Sequence, residues 1–193
     1  MYNTIFDGEP ITLIEMLDAR EERLATQKKM LSNKNERLIC ATMNIPGPIK
    51  SSPILVDVFS KIVEQVKQQV SNSKGKELSF YSKKTGPEYY FTCSLDPVEL
   101  KKRMVSIEET HPYGRLVDLD VHWLQGGTVA AISRADLDLP KRRCLVCRKD
   151  AKECGRARVH SIVEMQEKIS QIIQNGGECK DEQKNSLYGN RAT

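Results

Sequence analysis

Two carboxylates one residue apart stand in the run Gly114-Arg115-Leu116-Val117-Asp118-Leu119-Asp120, which continues through Val121, His122 and Trp123. The alternation of apolar and polar positions reads as a β-strand, in which residues i and i+2 share a face. Val117, Leu119, Val121 and Trp123 then point to a core, and Asp118, Asp120 and His122 point the other way. Strand rise puts the two aspartate Cα atoms about 7 Å apart, close enough for both carboxylates to converge on one hard cation. Such a cation polarises a phosphoryl oxygen and offsets developing negative charge. The plain alternative is an outward strand face that is polar because it meets water.

A second set is Cys144, Cys147, Cys154 and His160. Two cysteines separated by two residues can grip one tetrahedral ion, and the later cysteine and histidine can complete the shell. Four protein ligands leave no open position, so a metal there would be structural zinc. The alternatives are redox chemistry of the Cys-x-x-Cys pair, which lacks a thioredoxin-like strand before it, or four unrelated loop residues. Cys40 and Cys93 lie in strand-like runs and read as core packing.

The third set is Pro46-Gly47-Pro48-Ile49-Lys50-Ser51-Ser52, a rigid turn that ends in a lysine just before a helix start. Free backbone N–H groups and the helix dipole favour an anion in such a place. The spacing is not that of a P-loop. His111, before Pro112, and His122 have no serine or cysteine partner that the sequence places beside them, so nothing supports a nucleophilic triad.

The elements that must position these residues follow from caps and periodicity. Thr12 with Glu15 three residues on is a capping box, and Leu13, Ile14, Met16 and Leu17 give the helix that follows an apolar face. A strand follows at Arg37 to Met43. Ser52-Pro53 opens a second helix, with Leu55, Phe59, Ile62, Val66 and Val70 at helical spacing. Short strands are expected at Leu78 to Ser82 and Tyr89 to Leu95, and Asp96-Pro97 opens a third helix that must stop before His111-Pro112. Gly126-Gly127 reads as a hairpin turn joining Val117–Leu124 to Thr128–Ser133. A last helix starts at Ser161-Ile162 and is expected to end at Asn175-Gly176-Gly177, leaving 178–193 as a disordered tail. The pattern predicts a single α+β domain over 1–177, with a mixed or antiparallel sheet and flanking helices.

Composition bounds the function classes. The 193 residues carry 30 Lys+Arg against 26 Asp+Glu, and 39% are hydrophobic, enough for one real core. No apolar run approaches the roughly 20 residues needed to span a bilayer, and the first residues do not read as a secretory signal. Six cysteines without such a signal suit a reducing cytoplasm. The net charge of +4 is uneven. From Lys141 to His160 there are eight basic residues and two acids, so this segment carries +6 and the rest of the chain −2. A local positive patch implies an acidic or phosphorylated partner.

Taken in order, Pro46-Gly47-Pro48-Ile49-Lys50, His111-Pro112-x-Gly114-Arg115-Leu116-x-Asp118-x-Asp120-Val121, Leu139-Pro140-x-Arg142-Arg143-Cys144-Leu145-x-Cys147, Cys154 and His160 resemble the apo-citrate lyase phosphoribosyl-dephospho-CoA transferase family, also called citrate lyase holo-acyl-carrier-protein synthase. The resemblance covers the chain from the Thr12 helix to the helix after His160. It implies transfer of a phosphoribosyl-dephospho-CoA group from its triphosphate precursor, triphosphoribosyl-dephospho-CoA, to a serine of the acyl carrier (gamma) subunit of citrate lyase, with release of diphosphate. That is nucleotidyl-transfer chemistry, and the Gly…Asp-x-Asp element is similar to the metal strand of polymerase-β-like nucleotidyltransferases. Here Gly114-Arg115 stands where that superfamily usually has Gly-Ser.

By this resemblance Asp118 and Asp120 hold Mg²⁺, with Asp136 or Asp138 as a third carboxylate, and Arg115 acts beside them. Lys50, Gly47, Gly114 and His111 bind substrate, Lys50 and Arg115 clamping phosphates, and the basic segment meets the carrier. The competing class is a zinc-stabilised basic module that grips nucleic acid without catalysis. Aromatic residues at only 6% and two aspartates on a binding face argue against it, since acids repel phosphate.

Overall fold

The computed structural model describes residues 4–188, with the side chains of 5–176. Helix α1 (Leu13–Met30) starts at the expected capping box: Glu15 N–H donates to the Thr12 hydroxyl, and the Glu15 carboxylate accepts the Thr12 N–H. Strand β1 (Arg37–Met43) leads through the proline turn into α2 (Pro53–Gln69), whose Ser52 cap and first-turn proline are as the sequence predicts. β2 (Glu77–Phe80) and β3 (Glu88–Cys93) follow, then α3 (Pro97–Thr110), capped by Asp96 and ended before His111-Pro112. β4 (Val117–Gln125) and β5 (Thr128–Ala131) form the hairpin around Gly126-Gly127. The short α4 (Ala151–Arg156) and the long α5 (Ile162–Tyr188) complete the chain.

The five strands are wholly antiparallel in the order β2-β3-β1-β4-β5, which settles the sheet as antiparallel. One face, with Ile39, Ala41, Val117, Leu119 and Val121, packs on Leu55, Phe59 and Ile62 of α2 and Leu100 and Met104 of α3. This is the main core. The other face is shallower: Leu38, Cys40 and Tyr90 meet Met30 and Leu31 at the end of α1. Every residue of β3 is buried, so Tyr89 and Phe91 serve one face and Tyr90 the other. Cys40 and Cys93 are buried packing residues, as expected.

Two expectations fail. The apolar positions of α1 do not face a core, because Leu13 is 76% and Ile14 71% exposed. The helix instead turns Arg23 to Glu88 and Gln27 to His122, and its end at Met30 meets the apolar residues of that sheet face. The last helix does not stop at Asn175-Gly176-Gly177 but runs to Tyr188. Gly176 is needed there for close packing: a Cβ would lie 2.3 Å from Cε1 of the Tyr113 ring. The backbone of 178–188, expected to be a tail, is therefore helical, while 189–193 lie outside the described residues.

Candidate active site and metal centre

The loop before β4 is shaped by a close approach. A Cβ on Gly114 would lie 2.2 Å from the Ile107 carbonyl oxygen of α3, so only glycine lets the Gly114–Leu116 turn sit against that helix. The turn feeds directly into β4. There Val117, Leu119 and Val121 are fully buried, Asp118 is partly exposed and Asp120 is exposed, as the alternation predicts.

Both carboxylates line one cleft of about 440 Å³, between the β4 edge, the β5–α4 segment and α3. Basic side chains surround it, among them Lys101, Arg134, Arg142, Lys152 and Arg156. Arg142 makes the most direct link. Its guanidinium pairs with the Asp118 carboxylate and donates to the carbonyls of Val117 at 2.6 Å and Arg115 at 3.2 Å. Burial pushes the Asp118 carboxyl above its usual range, and the neighbouring Arg142 charge pulls it back. Lys101, only 5% exposed, lies 3.6 Å from Asp120 and donates to the Leu119 carbonyl.

Glu108, Asp150 and Glu153 are the other carboxylates that line this cleft. Asp136 instead accepts hydrogen bonds from the N–H and hydroxyl of Ser133, and Asp138 sits in a left-handed turn; neither lines the cleft.

The other predicted residues spread around this centre. Arg115 lines a larger cleft of about 680 Å³ with Arg142, Arg143 and His160, and its guanidinium donates to the Arg143 carbonyl. Burial lowers its pKa, with Arg142 adding to the effect. Lys50 donates to the Ile45 carbonyl of its own turn, and burial, then Arg20, lowers its pKa. It lines a small pocket of about 150 Å³ that also includes Arg20, Arg23 and Asp118. Gly47 has φ +88° and packs against Ile162 at the start of α5. His111 accepts the Tyr113 N–H through Nδ1 at the end of α3. Neither Gly47 nor His111 lines the carboxylate cleft or the larger one.

Sequence reasoning missed Arg142, Lys101, Glu108 and Arg134. Arg142 was one of eight cations in its segment, and the other three lie on a helix and a loop whose burial depends on tertiary packing.

The Cys/His set does come together. One ligand atom from each of Cys144, Cys147, Cys154 and His160 lies within 4.8 Å of every other. A tight turn delivers the first pair: Cys144 N–H donates to the Lys149 carbonyl at 2.7 Å, and Arg148 adopts φ 61°. Asp150 caps α4, which carries the buried Cys154, and a second left-handed residue, Arg158, turns the chain to His160. Cys147 Sγ and Cys154 Sγ are 3.4 Å apart, well beyond a disulfide bond. The Lys149 N–H, and then His160, lower the Cys147 thiol to about 6, while donating a hydrogen bond to Cys147, and then burial, raise Cys154 to about 12. His160 Nε2 is buried without a hydrogen-bond partner. Crowded sulfurs beside an unpartnered imidazole nitrogen are compatible with a closed, four-ligand zinc site.

Residues 11–176 match the family model for apo-citrate lyase phosphoribosyl-dephospho-CoA transferase. This chain belongs to that family. A relative from Streptococcus pyogenes serotype M18, named probable apo-citrate lyase phosphoribosyl-dephospho-CoA transferase, is 43% identical over 172 residues, covering 89% of this chain and 90% of its own. One of the same name from Vibrio cholerae is 32% identical over 173 residues, covering 88% of this chain and 95% of its own. Haemophilus influenzae protein CitXG is 37% identical over 172 residues, which cover 88% of this chain and 36% of that longer protein. The resemblance read from the motifs is thus borne out over most of the chain, and the nucleic-acid-binding alternative gains no support. Among the described residues no helix is long and apolar enough to cross a membrane.

Proposed function

We propose that this chain transfers the phosphoribosyl-dephospho-CoA group from its triphosphate precursor to a serine of the citrate lyase acyl carrier subunit, releasing diphosphate. A bond forms between the serine oxygen and the phosphorus nearest the ribose as the bond to diphosphate breaks. The serine proton is lost, and a phosphodiester remains. Family membership supports the activity, and one observation carries its location: Asp118 and Asp120 share one face of β4 in a cleft rimmed by cations.

Two oxygen donors on one face fit a hard cation, so Asp118 and Asp120 are the residues that would hold Mg²⁺. When bound, such an ion neutralises charge on the donor's phosphates, in the manner of nucleotidyl transfer. The chain's own part is positional. Arg142 orients Asp118 and fixes the carbonyls of the preceding turn, while Lys101 neighbours Asp120. Arg115 and Arg142 also line the larger cleft, where the apolar side chains of Leu145, Ile162 and Met165 suit the CoA arm and the arginines suit its phosphates. Lys50 lines a second pocket that Asp118 also borders and remains a candidate phosphate contact; Gly47, Gly114 and His111 shape the turns around the site.

Zinc on Cys144, Cys147, Cys154 and His160 would hold the turn that carries Arg142, two residues upstream, against Asp118. The segment also offers a docking face. Lys149, Lys152 and Arg156 are exposed on the same segment as Val159, and Ile162 and Val163 that follow are exposed too, so the region offers the cations and apolar side chains that an acidic, amphipathic carrier surface requires. A cytoplasmic setting suits the free thiols of Cys144, Cys147 and Cys154, which a reducing compartment keeps available as ligands. The test is diphosphate release measured with the triphosphate donor and the carrier together. The reading predicts release that needs both the carrier and a divalent cation, and release without either contradicts it.

A further inference from the structure

The edge of β4 beside the two aspartates is open, because β5 pairs only with His122–Gln125. Leu119, the residue between Asp118 and Asp120, therefore has a backbone N–H and a carbonyl with no strand partner on that side. Both are buried, and buried backbone groups left unpaired are costly. Helix α3 supplies the partners. Glu108 Oε1 accepts the Leu119 N–H at 3.0 Å, and Lys101 Nζ donates to the Leu119 carbonyl at 2.8 Å. Seven residues apart, Lys101 and Glu108 lie two turns from each other on one face of the helix. Arg134, arriving from the loop after β5, donates to Glu108 Oε2 at 2.6 Å and to Glu109 at 2.6 Å.

This arrangement is an expensive way to close a sheet edge. The side chains of Lys101 and Glu108 are only 5% and 6% exposed, and that of Arg134 is 15%. Buried ion pairs seldom stabilise a fold better than apolar side chains of similar volume. A short extension of β5 would have satisfied the same two backbone groups. What the charges add is a fixed conformation for Leu119, and with it a fixed angle between the side chains on either side. Lys101 reaches on to Asp120 as well, tying the network to one of the pair.

We infer that Glu108, held by Arg134 and working with Lys101, is the positioning residue of the Asp118–Asp120 pair, fixing the strand through Leu119 so that both carboxylates meet one divalent cation. The inference rests on the metal reading of those two aspartates. In this role Glu108 acts through the strand: one oxygen accepts from Leu119 and the other from Arg134. Groups that orient metal ligands typically alter affinity or activity by about 10–100-fold when they are changed.

The test uses the full chain and Mn²⁺ as a spin-active probe, titrated by electron paramagnetic resonance without substrate. Glu108→Gln keeps an acceptor for Leu119 but loses the charge that holds Arg134. It should weaken Mn²⁺ binding about tenfold or more, raise the Mn²⁺ concentration for half-maximal diphosphate release by a similar factor, and leave the KM for the carrier within about twofold. Glu108→Asp, which restores the charge, should recover part of the metal affinity. Should Glu108→Gln fail to fold, Lys101→Met removes the other partner of Leu119 and is expected to shift Mn²⁺ binding in the same direction. Asp118→Asn separates the two claims. If it leaves Mn²⁺ binding at the wild-type level, the metal reading fails and this inference with it. If Asp118→Asn abolishes binding while Glu108→Gln only lowers the melting temperature, the positioning role alone is overturned.

Discussion

Replacing Arg142 by alanine should cost far more than replacing its neighbour Arg143. The Arg142 side chain is 18% exposed and donates to the Val117 carbonyl at 2.6 Å, to that of Arg115 at 3.2 Å, and to Asp118. A hydrogen bond from a charged donor contributes about 1.5–3 kcal/mol, and the Val117 bond is the short, buried one. The Arg115 bond is longer and adds about 0.5 kcal/mol. The Asp118 carboxylate is 41% exposed, so water screens the ion pair and it adds about 0.5 kcal/mol.

The sum is about 3 kcal/mol, which for a chain of this length lowers the melting temperature by about 6–12 °C. Arg143 is exposed, and its side chain makes no ion pair or hydrogen bond among the described residues, so Arg143→Ala should stay within about 0.5 kcal/mol of wild type. Thermal unfolding followed by circular dichroism, at one pH and with zinc content matched, measures both. Arg142→Ala melting within 2 °C of wild type (about 0.5–1 kcal/mol), or Arg143→Ala falling equally far, would refute the view that Arg142 pins the turn before β4.

Purified protein should carry about one zinc per chain, and a chelator or Cys147→Ser should lower its melting temperature; metal-free protein of unchanged stability would remove the zinc reading. In zinc-free protein Cys147 should be alkylated first: its pKa is lowered to about 6, so the reactive thiolate dominates above that pH and is lost as pH falls through it, whereas Cys154, raised to about 12, stays a thiol. Mass mapping of iodoacetamide labelling from mildly acidic to mildly alkaline pH reads this, and equal labelling of both cysteines would contradict it. Lys149→Glu, outside the carboxylate cleft, should raise the KM for the carrier with little change in kcat, and added salt should mimic the change; unchanged kinetics at low ionic strength would move the docking face elsewhere.

What could be read from the sequence was what local chemistry decides. A period of two put Asp118 and Asp120 on one face, and caps at Thr12, Ser52 and Asp96 opened three helices where expected. The Cys144–His160 spacing foretold the cluster, because ligand convergence there depends on short turns within one segment. The failures share a cause in tertiary structure. Leu13 and Ile14 look like a core face, yet both are exposed, and α1 meets the sheet through Arg23, Gln27 and Met30. Gly176 reads as a helix stop unless the Tyr113 ring against it is seen. Lys101 and Glu108 look like an ordinary wet helix surface, and only the shortness of β5 turns them into partners for Leu119.

The central claim is that Asp118 and Asp120 serve transfer of the prosthetic group to the carrier. Its most direct test is the intact mass of the citrate lyase acyl carrier subunit after incubation with the triphosphate donor, magnesium and this protein, run beside Asp118→Asn and Asp120→Asn. The account predicts that the wild type adds the mass of one phosphoribosyl-dephospho-CoA group and that both variants, still folded, leave the carrier nearly unmodified. Full modification by either variant would contradict it.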